Sequence, residues 1–369
     1  MNALAVTDRF ALHVGVACTH RCGFCYTRDA VAAPPRAEPP LARLLGRIDL
    51  AARLGKRAMD LTGGEPTLRA DLPFLVERGR RNGFRAVTVI TNGTRTADPA
   101  YAKTLRAAGL TDGLFSLHGA SPDVHDGLTG RPGSHGRLVA SLDVFASLGI
   151  GTRVNTVVTG ANLTDLDGII RLVAPFRPTA LNLLLLNPAA SAARLPQDSP
   201  LVLPELATLR AALERLLDTH ADAPFPINIR FAPLCLLPRH LEAVRTLWQK
   251  AHEDDEWDPL LHSTFTKGFV ATAGAVFLGL FLRGQSPRFR SRDLGTRLAR
   301  CFTAARARIT YRQGRLCRLC SARRICPGLA RAASGRLSEV VPLRLGYELF
   351  DPLAFAAARR EAYSSLREP

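Results

Sequence analysis

Six apolar runs recur along the first half of the chain: "LHVGVAC" (12–18), "RAMDLTG" (57–63), "AVTVITN" (86–92), "GLFSLHG" (113–119), "TRVNTVVT" (152–159) and "ALNLLLLN" (180–187). Each is short and nearly continuous in apolar residues, as expected of strands buried on both faces of a parallel sheet. Between them "PLARLLGRIDLAARLG" (40–55), "LPFLVERGRRNG" (72–83), "PAYAKTLRAAG" (99–109) and "GRLVASLDVFASLG" (136–149) repeat apolar residues at helical spacing and end at glycine. The alternation predicts an α/β fold, a partial (β/α)6 barrel of TIM-like design. In such folds the chemistry gathers at the carboxyl ends of the strands. A proline-rich stretch (194–204) leads into a last helical pattern, "PELATLRAALERLLDTH" (204–220), beyond which the βα rhythm stops.

Composition and charge add two constraints. The N-terminal "MNALAVTDRF" has neither a basic start nor a long apolar core, so no secretion signal is expected and a reducing cytoplasmic setting is the default. The longest uncharged apolar stretch, "GFVATAGAVFLGLFL" (268–282), lies between Lys267 and Arg283 and is shorter than the roughly 20 residues that span a bilayer. It is expected as a buried helix or hairpin, with no membrane partner. The net charge of +17 is concentrated: from Arg283 to Arg331 there are 14 arginines, no lysine and a single acid, Asp293. This stretch is either a solvated surface or a platform for an acidic peptide or a nucleic acid. With only Phe289, Phe302 and Tyr311 as aromatics, it is a poor base-stacking surface.

The 8 cysteines form two sets. Cys18, Cys22 and Cys25 make a C-x3-C-x2-C array directly after the first apolar run, with no fourth cysteine nearby. Cys235, Cys301, Cys317, Cys320 and Cys326 lie in the C-terminal part. Disulfides are unexpected in a reducing compartment, so tight spacing points to metal or redox chemistry. A structural zinc site needs four ligands. Three thiolates instead suit a [4Fe–4S] cubane with one iron left open.

"CTHRCGFCY" (18–26) resembles the cluster loop of the radical S-adenosylmethionine (SAM) superfamily. The resemblance implies a cluster-bound SAM cleaved reductively to a 5′-deoxyadenosyl radical, with electrons from a reductant such as flavodoxin or ferredoxin. "LTGGEPTL" then resembles the family's GGE motif, in which Gly63, Gly64 and Glu65 hold the methionyl amino group. Its glycines are expected to let backbone approach the ligand closely. In "TNGT" (91–94) Asn92 belongs to the same pattern, although an Asn-Gly turn alone would explain it. By the same resemblance Tyr26 lies by the adenine, and Ser116 and Arg131 are partners for the SAM ribose or carboxylate. Asn155 faces either the barrel interior or the helices. His118 faces substrate or is a packed histidine, while His125 and Asp126 are expected to cap the following turn.

In the C-terminal part "CRLCSARRICPG" places Cys317, Cys320 and Cys326 in a C-x2-C-x5-C array. With a fourth thiolate, Cys235 or Cys301, the set closes a second site. It resembles the SPASM and twitch auxiliary-cluster extensions, twitch more closely, and implies a second [4Fe–4S] cluster; four thiolates suit zinc equally. The resemblance divides the chain into a radical SAM core (1–220), a cluster domain (221–340) and a tail (341–369). It implies an oxidoreductase that oxidises or cross-links a ribosomal peptide, or one that acts on a small metabolite. A metal-stabilised nucleic-acid-binding protein without turnover is the reading from another class.

Overall fold

The computed structural model describes residues 7–25, 38–186, 199–251, 253, 256–282, 293–349 and 355. They fall into two compact units, Arg9–Leu183 and the residues from Leu184 onward together with Thr7 and Asp8.

The first unit is a β/α repeat. In chain order it contains β1 (Arg9–His13), α1 (Leu41–Arg53), β2 (Ala58–Thr62), α2 (Leu72–Arg81), β3 (Ala86–Thr91) and α3 (Pro99–Ala107). It continues with β4 (Asp112–Ser116), α4 (Pro122–Thr129), α5 (Ser134–Ser147), β5 (Gly151–Val158), α6 (Leu166–Val173) and β6 (Leu181–Leu185). The strands lie side by side in chain order, and β1 to β5 pair in parallel. This is the partial barrel that the alternation of apolar runs predicts. One boundary moves. The first strand is Arg9–His13, in register with Ala58–Thr62, and not 12–18. Pairing ends there because Gly15 and the residues after it leave the sheet to pack under the end of β2.

The two faces of the sheet carry different chemistry. Phe115 packs on Phe145 of α5 with ring centroids 4.9 Å apart, so Phe115 and its neighbour across the ladder, Val154, face the helices. Met59 and Val87 face α2, where a Cβ at Gly79 would meet Met59 at 2.6 Å; the missing side chain lets the helix sit close. Phe10, Leu12, Met59, Leu61, Val87, Val89, Phe115 and Val154 are fully buried. Each contributes about 1.5–3 kcal/mol of apolar transfer. The opposite face holds a charged network near the amino ends of the strands. Arg9 donates to Asp60 at 2.5 Å, Arg153 to Asp112 at 3.0 Å and to Thr88 at 3.0 Å, and Arg153 lies 3.6 Å from Asp60.

The second unit contains α7 (Leu206–Thr219), β7 (Ile227–Arg230), β8 (Val244–Arg245), α8 (Leu247–Lys250), α9 (Pro259–Lys267), α10 (Phe269–Phe281), α11 (Leu294–Thr310), β9 (Tyr311–Arg312) and β10 (Leu329–Ala330). The βα rhythm does not stop at residue 220. A parallel pair, β7–β8, follows, hidden in the sequence because "INIR" alternates apolar and polar residues over only four positions. The stretch 268–282 does form a helix, α10, but not a buried one. Phe269, Val270, Phe277 and Phe281 are exposed, and only Thr272 and Gly279 are buried. The reason is geometric: α10 approaches α11 through Gly279, whose missing Cβ would lie 1.9 Å from the Cys301 carbonyl oxygen. Such close backbone contact is made by a small residue, and the large apolar ones are left outside. Among the described residues no helix is long and apolar enough to cross a membrane.

The charged network gives a first test. Asp60 is nearly inaccessible and faces two guanidinium groups. Asp60→Asn should lower unfolding free energy by about 3 kcal/mol, because it leaves half-buried positive charge without its partner. Chemical denaturation measures this; an unchanged midpoint would mean that water, not Asp60, neutralises the arginines.

Candidate cofactor site

The segment between β1 and Cys25 is held by the end of β2. Gly64 N–H donates to the Gly15 carbonyl at 3.0 Å and Glu65 N–H to the Ala17 carbonyl at 2.7 Å. The glycines make this contact possible. A Cβ at Gly63 would lie 2.3 Å from the Gly15 oxygen, and one at Gly64 would lie 2.2 Å from the Ala17 oxygen. Gly63 also has φ +146, which side chains rarely adopt. The glycines thus permit a close approach to the chain's own loop.

Glu65 is the centre of this arrangement. Its Oε1 accepts hydrogen bonds from Thr67 N–H (3.2 Å), the Thr67 hydroxyl (2.6 Å) and the Thr91 hydroxyl (2.7 Å), and its Oε2 accepts from Asn92 N–H (2.7 Å). Burial pushes its carboxyl pKa up, and these donors pull it back. Asn92 extends the web: its side-chain amide donates to the Thr19 hydroxyl at 3.1 Å, one residue beyond Cys18. A cleft of about 330 Å³ lies against this corner, lined by Gly15, Ala17, Glu38, Gly64, Glu65 and Arg69 among others. Arg69 holds its edge by donating to the Val14 and Pro39 carbonyls and, through two nitrogens, to Asp71.

Cys18, Cys22 and Cys25 come together in the loop. Burial, together with the charges of Cys25 and Cys18, raises the Cys22 thiol to about 12. Cys18 is raised by burial, with smaller contributions from Glu65 and Cys25. Half-buried thiols become thiolates when a cationic centre binds them. With three donors and a fourth corner free, the set fits an iron–sulfur cubane. The loop is fixed on its other side by α4: Arg21 N–H donates to the Thr129 carbonyl and Gly23 N–H to the Leu128 carbonyl.

His118 is a packed histidine. It is 4% exposed, its ring edge meets Phe24 of the cysteine loop at 4.6 Å, and its Nδ1 accepts from Val157 N–H. Burial, helped by the nearby His125 and His20, holds its pKa well below the ordinary value, so the ring is neutral. His125 stacks on it and accepts from His118 N–H through Nδ1. Of the two residues expected to cap the following turn, Asp126 does so, accepting from Gly133 N–H, Ser134 Oγ and His135 N–H, whereas His125 is turned to His118 instead. Ser116 pairs across the ladder with Asn155, one residue beyond the helix-facing Phe115 and Val154, so both stand on the face away from the helices. Asn155 accepts there from Asn182. Arg131 is exposed just after α4 and close enough to His20 to oppose its protonation. Tyr26 lies outside the described residues. Phe24, Thr67 and Thr91 lie inside the motifs quoted above without a role of their own, and nothing in the sequence marks Glu38 or Arg69.

A second set of thiols gathers in the C-terminal unit. Cys235, Cys317, Cys320 and Cys326 line one small cavity with Pro233, Gln313 and Arg323. Burial raises the Cys235 thiol strongly, and Cys326, Cys320 and Cys317 raise it further; burial lifts Cys326 to about 11. Cys301 is not among the lining residues; its carbonyl packs on Gly279 of α10. Among the described residues no three donors converge on a point that would hold a single ion. The thiols line a common space instead.

The Glu65 web yields a second test. Glu65→Gln replaces one accepting oxygen by an NH2 facing donors, at a cost of about 1–3 kcal/mol. Because both carboxylate oxygens are engaged within the protein, the variant should lose thermal stability and retained iron together with SAM affinity. Weaker SAM binding with unchanged stability and iron would show that the carboxylate acts on the ligand directly.

Residues 12–173 match the Radical SAM superfamily. The chain is 26% identical over 306 residues to the AdoMet-dependent heme synthase of Methanosarcina barkeri, covering 80% of this chain and 84% of that protein. It is 30% identical over 173 residues to the probable GTP 3′,8-cyclase of Metallosphaera sedula, covering 46% of this chain and 53% of that one. Among solved structures, Streptococcus suis SuiB bound to its precursor peptide SuiA has a similar fold, with a TM-score of 0.51 at 18% identity over 60% of this chain and 48% of that one. The chain thus spans about half the length of the cyclase and of SuiB. The cysteine loop, the glycine corner beneath it and the parallel sheet all lie within the matched residues or at their edge, and the chain carries a radical SAM superfamily domain over residues 12–173.

Proposed function

We propose that this protein is a radical SAM enzyme with two iron–sulfur centres that oxidises its substrate. The observation that carries the reading is the C-x3-C-x2-C loop seated on Gly64 and Glu65, inside the stretch that matches the superfamily. Cys18, Cys22 and Cys25 would hold a [4Fe–4S] cluster, and the backbone around Gly63 and Glu65, with Asn92, would bound the SAM site. With both bound, the group supplies a 5′-deoxyadenosyl radical that takes a hydrogen atom from substrate. The chain's own part is positional: Ser116 and Asn155 present polar groups from β4 and β5, Arg131 offers a cation near the loop, and neutral His118 buttresses Phe24. Cys235, Cys317, Cys320 and Cys326 would hold the second cluster, a SPASM- or twitch-like site that would supply an acceptor for the one electron lost by the substrate radical, completing a two-electron oxidation. Electrons for the first centre would come from a flavodoxin or ferredoxin in a reducing cytoplasm.

Two substrate classes fit. A ribosomal peptide, oxidised or cross-linked, is supported by the arginine-rich segment, which suits an acidic leader. A small metabolite is supported by the relation to the heme synthase, which extends over 80% of the chain and so beyond the SAM domain.

Anaerobically reconstituted protein should contain about eight irons, four per cubane. Cys18/Cys22/Cys25→Ala should keep about half of them and form no 5′-deoxyadenosine under reduction. SAM cleavage at the wild-type rate in the triple variant would sink the proposal. Four irons with one zinc would assign the second site to zinc.

A further inference from the structure

The described residues that line one large cavity all belong to the C-terminal unit. The cavity measures about 900 Å³. Five arginines line it: Arg308 from α11, Arg312 from β9, Arg315 and Arg318 from the turn that carries Cys317, and Arg331 after β10. No carboxylate is among the described lining residues. Arg331 is committed, since its guanidinium donates to the Arg308 carbonyl at 2.9 Å. Arg308, Arg312, Arg315 and Arg318 are exposed, and none has an ion-pair partner among the described residues. Four like charges facing one hollow repel one another and attract an anion.

The rest of the lining is apolar. Ala304 and Ala307 of α11, with Leu282, Leu316 and Leu337, form the wall, and Trp248 and Tyr311 add aromatic surface. The volume falls within the range of about 300–1,000 Å³ typical of small-molecule sites. Gln313, Cys326 and Leu337 line both this cleft and the cavity of the four thiols, so the two share a wall. Gln313 forms part of that wall by donating to the Cys326 carbonyl at 2.7 Å.

We propose that this cleft binds a small organic polyanion, a molecule with at least two carboxylate or phosphate groups on an apolar body, seated against the wall of the four-thiol cavity. The guanidinium groups of Arg308, Arg312, Arg315 and Arg318 pair with the anionic groups, for which their planar fork is suited. The apolar body rests on the alanine and leucine wall. A compact ligand is favoured over an extended acidic peptide because the cations converge on one bounded hollow that apolar side chains also line. The ligand class is the one required by the small-metabolite reading, and binding is measurable without SAM or a reductant, so its failure is separate from failure of the radical reaction.

Titration calorimetry of intact, anaerobically prepared protein tests this with inorganic pyrophosphate and with benzene-1,3,5-tricarboxylate as probes. One or both should bind at one per chain, and more weakly as salt rises. Which of them binds distinguishes phosphate from carboxylate. Arg312→Ala and Arg315→Ala should each weaken binding about tenfold, and Arg312/Arg315/Arg318→Ala should abolish it with iron content and melting temperature unchanged. If the triple variant fails to fold, the exposed single variants still report. The proposal is overturned if neither probe binds, if the variants bind as the wild type does, or if an oligoglutamate peptide or a single-stranded oligonucleotide binds and the compact anions do not displace it.

Discussion

A buried carboxylate organises the carboxyl end of the strands in the first unit. Ionised Glu65 inside the protein would be costly without partners. Four donors offset that cost, and each belongs to a segment that must be placed: the turn after β2, the end of β3 and the start of the Asn-Gly turn. The same residue's backbone N–H fixes Ala17, and Asn92 reaches Thr19. The cysteine loop has little regular structure of its own. Its position is inherited from this one charge-assisted set of hydrogen bonds and from the bare backbone at Gly63 and Gly64.

The two thiol sets pose the same electrostatic problem in separate parts of the chain. In each, burial and neighbouring sulfurs oppose ionisation. Metal or cluster binding would reverse the balance and release protons, so loading each centre is coupled to pH and to local folding. The sets differ in number. Three cysteines leave an exchangeable corner, and four close the site. On the proposed reading, that difference in count would suit one centre to bind a small molecule and the other to pass electrons.

The arginines of the C-terminal unit show how composition can conceal a site. Spread along the sequence from Arg283 to Arg331, they look like a uniformly basic segment. Folding sorts them. Arg323 and Arg324 pair with Glu348, Arg331 holds a backbone carbonyl, and Arg308, Arg312, Arg315 and Arg318 are left facing one cleft. Charge that is locally neutralised in some places and not in others makes a site where composition alone suggests only solubility.

The sequence by itself determined the class of fold and marked Cys18, Cys22 and Cys25 as a candidate donor set. Apolar runs at strand length alternate with helical repeats, and a cysteine triplet spaced within eight residues has few bland explanations. Both are local signals, carried by neighbouring residues. The sequence left Cys235 and Cys301 both open as companions of the other three, because both lie far from Cys317 along the chain; in the fold it is Cys235 that lines the same small cavity as Cys317, Cys320 and Cys326, while the Cys301 carbonyl packs on Gly279. Nor could the sequence show that Gly63 and Gly64 approach the chain's own loop, that Glu65 is engaged on both oxygens, or that α10 keeps its apolar side chains outside. Each of those depends on which surface another segment presents, and that is a property of the tertiary structure alone.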